Sequence, residues 1–205
     1  MIYRDFIKRI LDFLIALIVT PFVVLVVIVM APIIFVNDPG PVFYNGKRVG
    51  KNGKFFKMFK FRSMYVNSPD IRNEDGSTFN GDEDPRVTKI GRFMRKTSID
   101  EIPQILNVLI GNMSFVGPRP TVSSKHLVME DLDEIKIKHY QVKPGITGYS
   151  QAYFRNAATQ DEKYKNDAYY ANHVSFLLDV KIIIKTAITV LERKNIYIKQ
   201  DNSIR

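Results

Sequence analysis

The sequence predicts an α/β protein, mostly α-helical with a small β element. It divides into an N-terminal re-entrant membrane helix (residues 1–40) and a compact membrane-associated domain with interfacial helices (residues 41–205). Three observations carry this reading. Residues 13–36 contain no charge; helical patterns recur from Thr88 onward; and strand-like alternation is confined to one basic, Phe-rich stretch, residues 54–64. A chain of 205 residues has room for one domain with a core and one appended element.

The apolar segment comes first. Its 24 residues, Phe13 to Val36, carry Thr20 as the only hydroxyl. A straight helix of that length spans ~36 Å, longer than a ~30 Å hydrocarbon core. A soluble core helix is not apolar all round for so long. A cleaved leader has a shorter apolar stretch and a small-residue cleavage site, which "IIFVNDPGPVF" lacks, so the segment is expected to stay and enter a membrane. Arg4, Lys8 and Arg9 precede it; Lys47, Arg48, Lys51, Lys54, Lys57, Lys60 and Arg62 follow, with no acidic residue between Pro39 and Pro69. Basic flanks mark the cytoplasmic side, and here both flanks are basic. Pro21 removes a helix hydrogen bond in mid-segment, and Thr20 beside it can bond a freed carbonyl. A helix that crosses once and one that bends at Thr20-Pro21 and returns both fit; charge and Pro21 favour the return.

The remaining elements follow in order. "NDPGPVFYNG", residues 37–46, is a turn-rich exit from the membrane. Residues 54–64 read as a strand, with Phe55, Lys57, Phe59 and Phe61 on one side and Phe56, Met58, Lys60 and Arg62 on the other. Residues 66–86 form a polar loop containing "DED", residues 82–84. One helix is expected from Thr88 to Lys96 and a second from Asp100 to Ile110, with Ile102, Ile105, Leu106 and Leu109 as its core stripe. Pro103 sets the second start: with Asp100 as N-cap it falls at the third helical position and loses nothing. With Ser98 as N-cap and Glu101 closing a capping box, it would lie too deep. "SFVGPRP", residues 114–120, is a stiff loop carrying Arg119 between Pro118 and Pro120. Residues 124–140 look helical, "KPGITG" (143–148) reads as a turn cluster, and a last helix runs from about Asp161 to Lys194. Asp179, Lys181 and Lys185 interrupt that helix, which suits a core or membrane-interface position.

Charge and composition narrow the function classes. Lys plus Arg total 30 against 21 Asp plus Glu, a net +9, which points to an anionic partner: nucleic acid, a phosphorylated ligand or an acidic membrane surface. The absence of cysteine excludes disulfides and thiolate metal sites. His126, His139 and His173 lack metal-ligand spacing and read as surface or core histidines. "GKRVGKN" (46–52) falls one residue short of a phosphate loop and lacks its Ser/Thr; G-x-S-x-G and H-E-x-x-H are missing, as is any nucleic-acid-binding module.

What remains is the adjacent pair Asp100-Glu101. Alone it is an ordinary acidic first turn favoured by the helix dipole. Its neighbours change that: Lys60 and Arg62 on the strand, Arg95 one turn earlier, and Arg119 in the stiff loop. Arg grips phosphate oxygens bidentately and Lys supplies a point charge. A carboxylate that attacks a diphosphate needs such cations, and a second carboxylate can hold magnesium beside the phosphates. The set fits phosphoryl transfer through a covalent carboxyl-phosphate. It fits glycoside hydrolysis poorly, because that chemistry needs carboxyls ~5–10 Å apart across the sugar.

With these residues in view, the chain resembles the bacterial sugar transferase family, the small monotopic phosphoglycosyl transferases. The likeness rests on "KFRSM", "DPRVTKIGRFMRKTSIDEIPQILNVLIGNMSFVGPRP", "KPGITGYSQ" and "FLLDVKIIIKT", in family order over nearly the whole chain. The resemblance implies a UDP-sugar donor and a polyprenyl phosphate acceptor, normally undecaprenyl phosphate. Asp100 would attack the β-phosphate, releasing UMP and leaving a phosphosugar ester that polyprenyl phosphate then takes. Glu101 would hold Mg2+. Lys60, Arg95 and Arg119 would line the phosphate site, with Pro118-Arg119-Pro120 as the nucleotide loop, and Thr20-Pro21 would be the break of a re-entrant helix. The implied setting is the cytoplasmic face of a bacterial inner membrane, among membrane lipids and downstream glycosyltransferases, without nucleic acid. Two departures stand out. Arg48-Val49-Gly50 replaces the family's usual Arg-Pro-Gly, and "RNAATQDE" (155–162) differs from the commoner "RNAISWEE" where sugar selection is expected, so the sugar is not carried over.

Two other classes compete. A membrane-attached transferase moving only the sugar would use Asp82 and Asp84 for metal and release UDP. A non-catalytic membrane scaffold recruiting acidic partners would tolerate loss of Asp100.

Overall fold

The computed structural model describes residues 2–71, 79, 81, 84–122, 129–154 and 157–192. Its order is α1 (Lys8–Asn37), β1 (Gly46–Val49), β2 (Phe55–Met58), α2 (Lys89–Thr97), α3 (Gln104–Leu109), β3 (Ser114–Val116), α4 (Glu134–Gln141), β4 (Gly145–Thr147), α5 (Tyr149–Tyr153), α6 (Gln160–Asn172) and α7 (Phe176–Leu191). Helices dominate, as expected, and the β content is two small sheets: antiparallel β1–β2 and parallel β3–β4.

The N-terminal helix, with a π-helical turn at Tyr3–Ile7 ahead of it, is long and apolar enough to cross a membrane. Residues 8–37 remain α-helical through both Pro21 and Pro32. Thr20 Oγ1 bonds Ala16 O at 2.7 Å. That oxygen lies four residues before Thr20, so the hydroxyl back-bonds its own turn rather than capping the carbonyl Pro21 leaves.

Five residues of α1 are buried: Asp12, Ala16, Val23, Met30 and Ile34. Their spacings of 4, 7, 7 and 4 make a single stripe running almost the length of the helix. Ala16 packs with Met58, Val108 and Met113; Met30 and Ile34 pack with Phe61 and Met94. The other faces leave Ile18, Leu25 and Ile28 exposed. At its end, Asp38 clamps Arg62, whose Nη1 reaches the Asp38 carboxylate and whose Nη2 reaches its carbonyl; Arg62 Nε donates to Pro41 O at 2.5 Å. The third cluster, Val116, Val142, Ala152, Tyr170, Ala171 and Ile182, joins β3 to α5–α7.

Several expectations need correction. The strand expected over 54–64 ends at Met58. Asn107, fully buried, takes the Phe59 N–H on Oδ1 at 2.8 Å and donates from Nδ2 to Lys57 O at 2.8 Å. The chain leaves the β1–β2 pair there and pairs with residues 42–44 instead, Tyr44 N–H donating to Lys60 O at 2.8 Å and Arg62 N–H to Val42 O at 2.9 Å, and the side chains of Lys60 and Arg62 go to different partners, Asp100 and Asp38. The earlier strand β1 was unforeseen. "KPGITG" holds β4 rather than a turn cluster, because Gly145 lies against Gly117: a Cβ on Gly145 would meet Gly117 N at 2.1 Å. The final helix is two, α6 and α7, broken at His173–Ser175, where Ser175 Oγ caps Leu178 N–H at 3.4 Å. The acidic run after residue 128 supplies a 3-10 turn at Met129–Asp131 and the N-cap Asp133 of α4 rather than one continuous helix.

Candidate active site

Asp100 and Glu101 lie in a 3-10 turn, Ile99–Glu101, between α2 and α3. Thr88 caps α2 by accepting from Gly91 N–H. Ser98 then turns the chain with a left-handed backbone, φ 58°. The expected N-cap at Asp100 is not found, nor a side-chain cap at Ser98: α3 starts at Gln104 with Pro103 as its N-cap. Proline still sits where its missing N–H costs nothing, but the preceding turn is 3-10, which presents the two carboxylates ahead of the α-helix proper. The expected stripe of Ile102, Ile105, Leu106 and Leu109 is half-buried, while Pro103, Gln104, Asn107 and Val108 are the buried positions.

Four of the candidate residues meet. Lys60 Nζ stands 2.7 Å from Asp100 Oδ2 and 3.3 Å from Glu101 Oε1. Arg119 Nη2 donates to the same Glu101 oxygen at 3.0 Å. Phe61 N–H donates to Asp100 O at 3.0 Å, which fixes the strand exit carrying Lys60 against the carboxylate turn. Asp100 is buried, 3% of its side chain exposed, whereas the Arg119 side chain is 57% exposed. The site thus has a closed floor and an open basic rim. Burial pushes the Glu101 carboxyl up, but the Arg119 and Lys60 charges outweigh it and hold it well below the usual carboxylate range. In return the Glu101 charge raises the Arg119 guanidinium.

Arg119 is held by backbone. Gly117 N–H donates to Thr147 O and Gly145 N–H to Pro118 O, each at 2.8 Å, so the Pro118–Pro120 loop is an extension of the β3–β4 pair. A side chain on Gly117 would strike Lys143 O at 2.2 Å. On its other flank, Val49 N–H donates to Thr121 O at 3.0 Å. Proline at position 49 would have no N–H to give, so Val49 makes a tie to the Arg119 loop that proline could not.

The other candidates make different contacts. Arg95, in the last turn of α2, donates from Nε to Ser63 Oγ at 3.0 Å. Arg62 is committed to Asp38. Thr20 and Pro21 lie within α1. Asp84 is fully buried in a fork from Arg86, Nε to Oδ1 at 2.9 Å and Nη2 to Oδ2 at 2.7 Å; Asp82 and His126 lie outside the described residues. Hydrogen bonds from Arg86 hold Asp84 below the ordinary carboxylate range. His139 pairs with Asp167 at 2.8 Å and His173 with Tyr169 O, in line with non-ligand histidines. Within "RNAATQDE", Thr159 and Glu162 form a capping box for α6. Asn107 was missed; an amide inside the apolar run "QILNVL" was its only trace.

Among the described residues no group of three or more His, Cys, Asp or Glu could cage a metal. Mg2+ does not require one, since it usually binds one or two carboxylates together with substrate phosphates. Glu101 fits that pattern: both of its protein contacts fall on Oε1.

The family model described as bacterial sugar transferase matches residues 3–193. The chain is 40% identical over 173 residues to undecaprenyl-phosphate galactose phosphotransferase of Salmonella typhimurium, covering 78% of this chain and 36% of that protein. It is 41% identical over 192 residues to the UDP-N-acetylgalactosamine-undecaprenyl-phosphate N-acetylgalactosaminephosphotransferase of Aeromonas hydrophila, 91% of this chain and 44% of that one. An uncharacterized sugar transferase EpsL of Bacillus subtilis is 37% identical over 192 residues, covering 92% of this chain and 89% of its own. The chain therefore spans less than half the length of the first two relatives and most of the third. With a match over nearly its whole length, this chain belongs to the bacterial sugar transferase family.

Proposed function

We propose that the chain transfers a phosphosugar from a UDP-sugar to a polyprenyl phosphate, normally undecaprenyl phosphate, through an aspartyl-phosphosugar ester. The observation that carries this is Lys60 Nζ between two adjacent carboxylates, with Arg119 completing the cluster on Glu101. The names of the Salmonella and Aeromonas relatives support the lipid phosphate and the UDP-sugar.

Chemically, an Asp100 oxygen bonds to the β-phosphorus of the donor while the bond from that phosphorus to the bridging oxygen breaks. UMP leaves with the bonding pair. An oxygen of the lipid phosphate then attacks the same phosphorus, the Asp100 O–P bond breaks, and the carboxylate returns. Lys60 makes this attack feasible by offsetting the charge of Asp100 against an anionic donor, and Arg119 reaches the phosphates from the rim. Glu101, kept ionised by its neighbours, would hold Mg2+; the ion supplies charge neutralisation on the diphosphate. Burial of Asp100 keeps water from the ester.

We assign the chain to the cytoplasmic face of a bacterial inner membrane as a monotopic protein, with α1 re-entrant. Basic flanks on both sides of the apolar run and the single buried stripe along α1 support this, because a helix packed on one domain from Asp12 to Ile34 does not leave that domain behind on one side.

Intact-mass spectrometry of protein quenched with UDP-sugar and no lipid tests the reading. The expected result is one added phosphosugar, absent in Asp100→Asn, together with UMP in the supernatant. Release of UDP would favour transfer of the sugar alone, and unchanged turnover in Asp100→Asn would sink the covalent route.

A further inference from the structure

A second concave site lies at the other end of α3 from the carboxylate pair. A cavity of about 170 Å3 opens between the first turns of α1, the Lys51–Gly53 turn and residues 141–143. Five cations line it, Arg4, Lys8, Arg9, Lys51 and Lys143, against the two carboxylates Asp5 and Asp12. Most of these charges are engaged. Asp5 accepts from Arg4 Nε at 3.0 Å, and Asp12 accepts the Phe115 N–H at 3.2 Å. Lys8 pairs with Asp179 at 2.5 Å, while Arg9 donates to Val108 O and Leu109 O at 2.6 and 3.0 Å. The side chains of Lys51 and Lys143 carry no hydrogen bond or ion pair among the described residues. Ser114 forms part of the wall with no exposed surface, and its Oγ has no partner.

Two lysines beside Arg9 and an idle hydroxyl make a hole complementary to a compact, oxygen-rich anion. Their crowding is felt: burial lowers the affinity of Lys143 for its proton, and the Arg9 and Lys51 charges lower it further. The volume falls below the ~300–1,000 Å3 of pockets for larger organic ligands, so a phosphate group fits and a nucleotide does not. The location matters too, since the first turns of α1 immediately precede the apolar run. We propose that this cavity is a binding site for a phosphate group, contributed by a lipid headgroup or by free phosphate and held by Lys51, Lys143, Arg9 and Ser114. Nothing in this assignment depends on the transferase chemistry.

Two measurements on the full chain test it. The first is the thermal midpoint in detergent titrated with inorganic phosphate. The second is co-sedimentation with phosphatidylcholine vesicles, with and without phosphatidylglycerol. K51Q/K143Q is expected to weaken whichever response the wild type shows by about 25-fold, from about fivefold per charge near an anionic ligand; S114A weakens it less. K51Q alone, at an exposed position, keeps the test valid if the double variant fails to fold. A wild-type response to phosphate assigns the site to the free anion, and a response to phosphatidylglycerol alone assigns it to a headgroup. The matched pair K54Q/K57Q, exposed and outside the cavity, should retain the response. Equal losses in both pairs, or a phosphate response removed by R119Q but not by K51Q/K143Q, would overturn the proposal.

Discussion

Glu101 shares one oxygen between Lys60 and Arg119, and that sharing fixes its protonation. Its folded pKa is depressed, so the stability it contributes is fully present above the ordinary glutamate value of ~4.3 and declines progressively as pH falls below it, until it is gone below the much lower folded value. Carboxyl-detected NMR should therefore find no Glu101 inflection between pH 4 and 5, and one should return in Arg119→Gln. An inflection in the wild type would mean that the two cations do not hold it. Asn107 illustrates a different dependence. Both ends of its amide serve the chain just before Lys60, and replacing it by Ala strands a buried N–H and a buried carbonyl. Asn107→Ala should cost about 2–4 kcal/mol in denaturant unfolding and reduce kcat, although residue 107 touches neither carboxylate. Unchanged stability would remove the bracket from the account.

At the scale of elements, the sequence exposed what local chemistry decides and hid what partners decide. Thr88, the α2 helix and the convergence of Lys60, Asp100, Glu101 and Arg119 were legible because capping and charge leave local marks. The strand β4 was not, since Gly and Pro signal turns until a second backbone, Gly117, comes close enough to demand them. Arg62 carried the same charge signal as Lys60, and only the fold sends it to Asp38. The break between α6 and α7 is stitched by Asp179, which accepts from Tyr170 and Tyr3 hydroxyls at 2.7 Å and pairs with Lys8. Asp179→Ala leaves Lys8 without that partner and should cost about 3–5 kcal/mol, read as a loss of thermal midpoint with detachment of α7 from the helix start. For α1 itself, tags at residue 2 and at the C-terminus should label from the same side of sealed vesicles; labelling from opposite sides excludes re-entry.

For the molecule as a whole, the apolar helix is part of the core. Ala16, Met30 and Ile34 complete two of the three apolar clusters, and a buried stripe spans most of α1. Removing residues 1–40 should therefore yield no folded soluble domain: near-UV circular dichroism is expected to collapse, and size exclusion to show aggregate. A monodisperse truncated protein with native-like signals would show the clusters to be dispensable.

The Asp38–Arg62 clamp carries this one step further. Arg62 follows Lys60 by two residues, so the ammonium beside Asp100 is tethered, over two residues of chain, to the point where α1 ends. Any tilt imposed on that helix pulls on the same short tether. Grafting a foreign hydrophobic tail in place of α1 would keep the protein moored and leave its chemistry adrift.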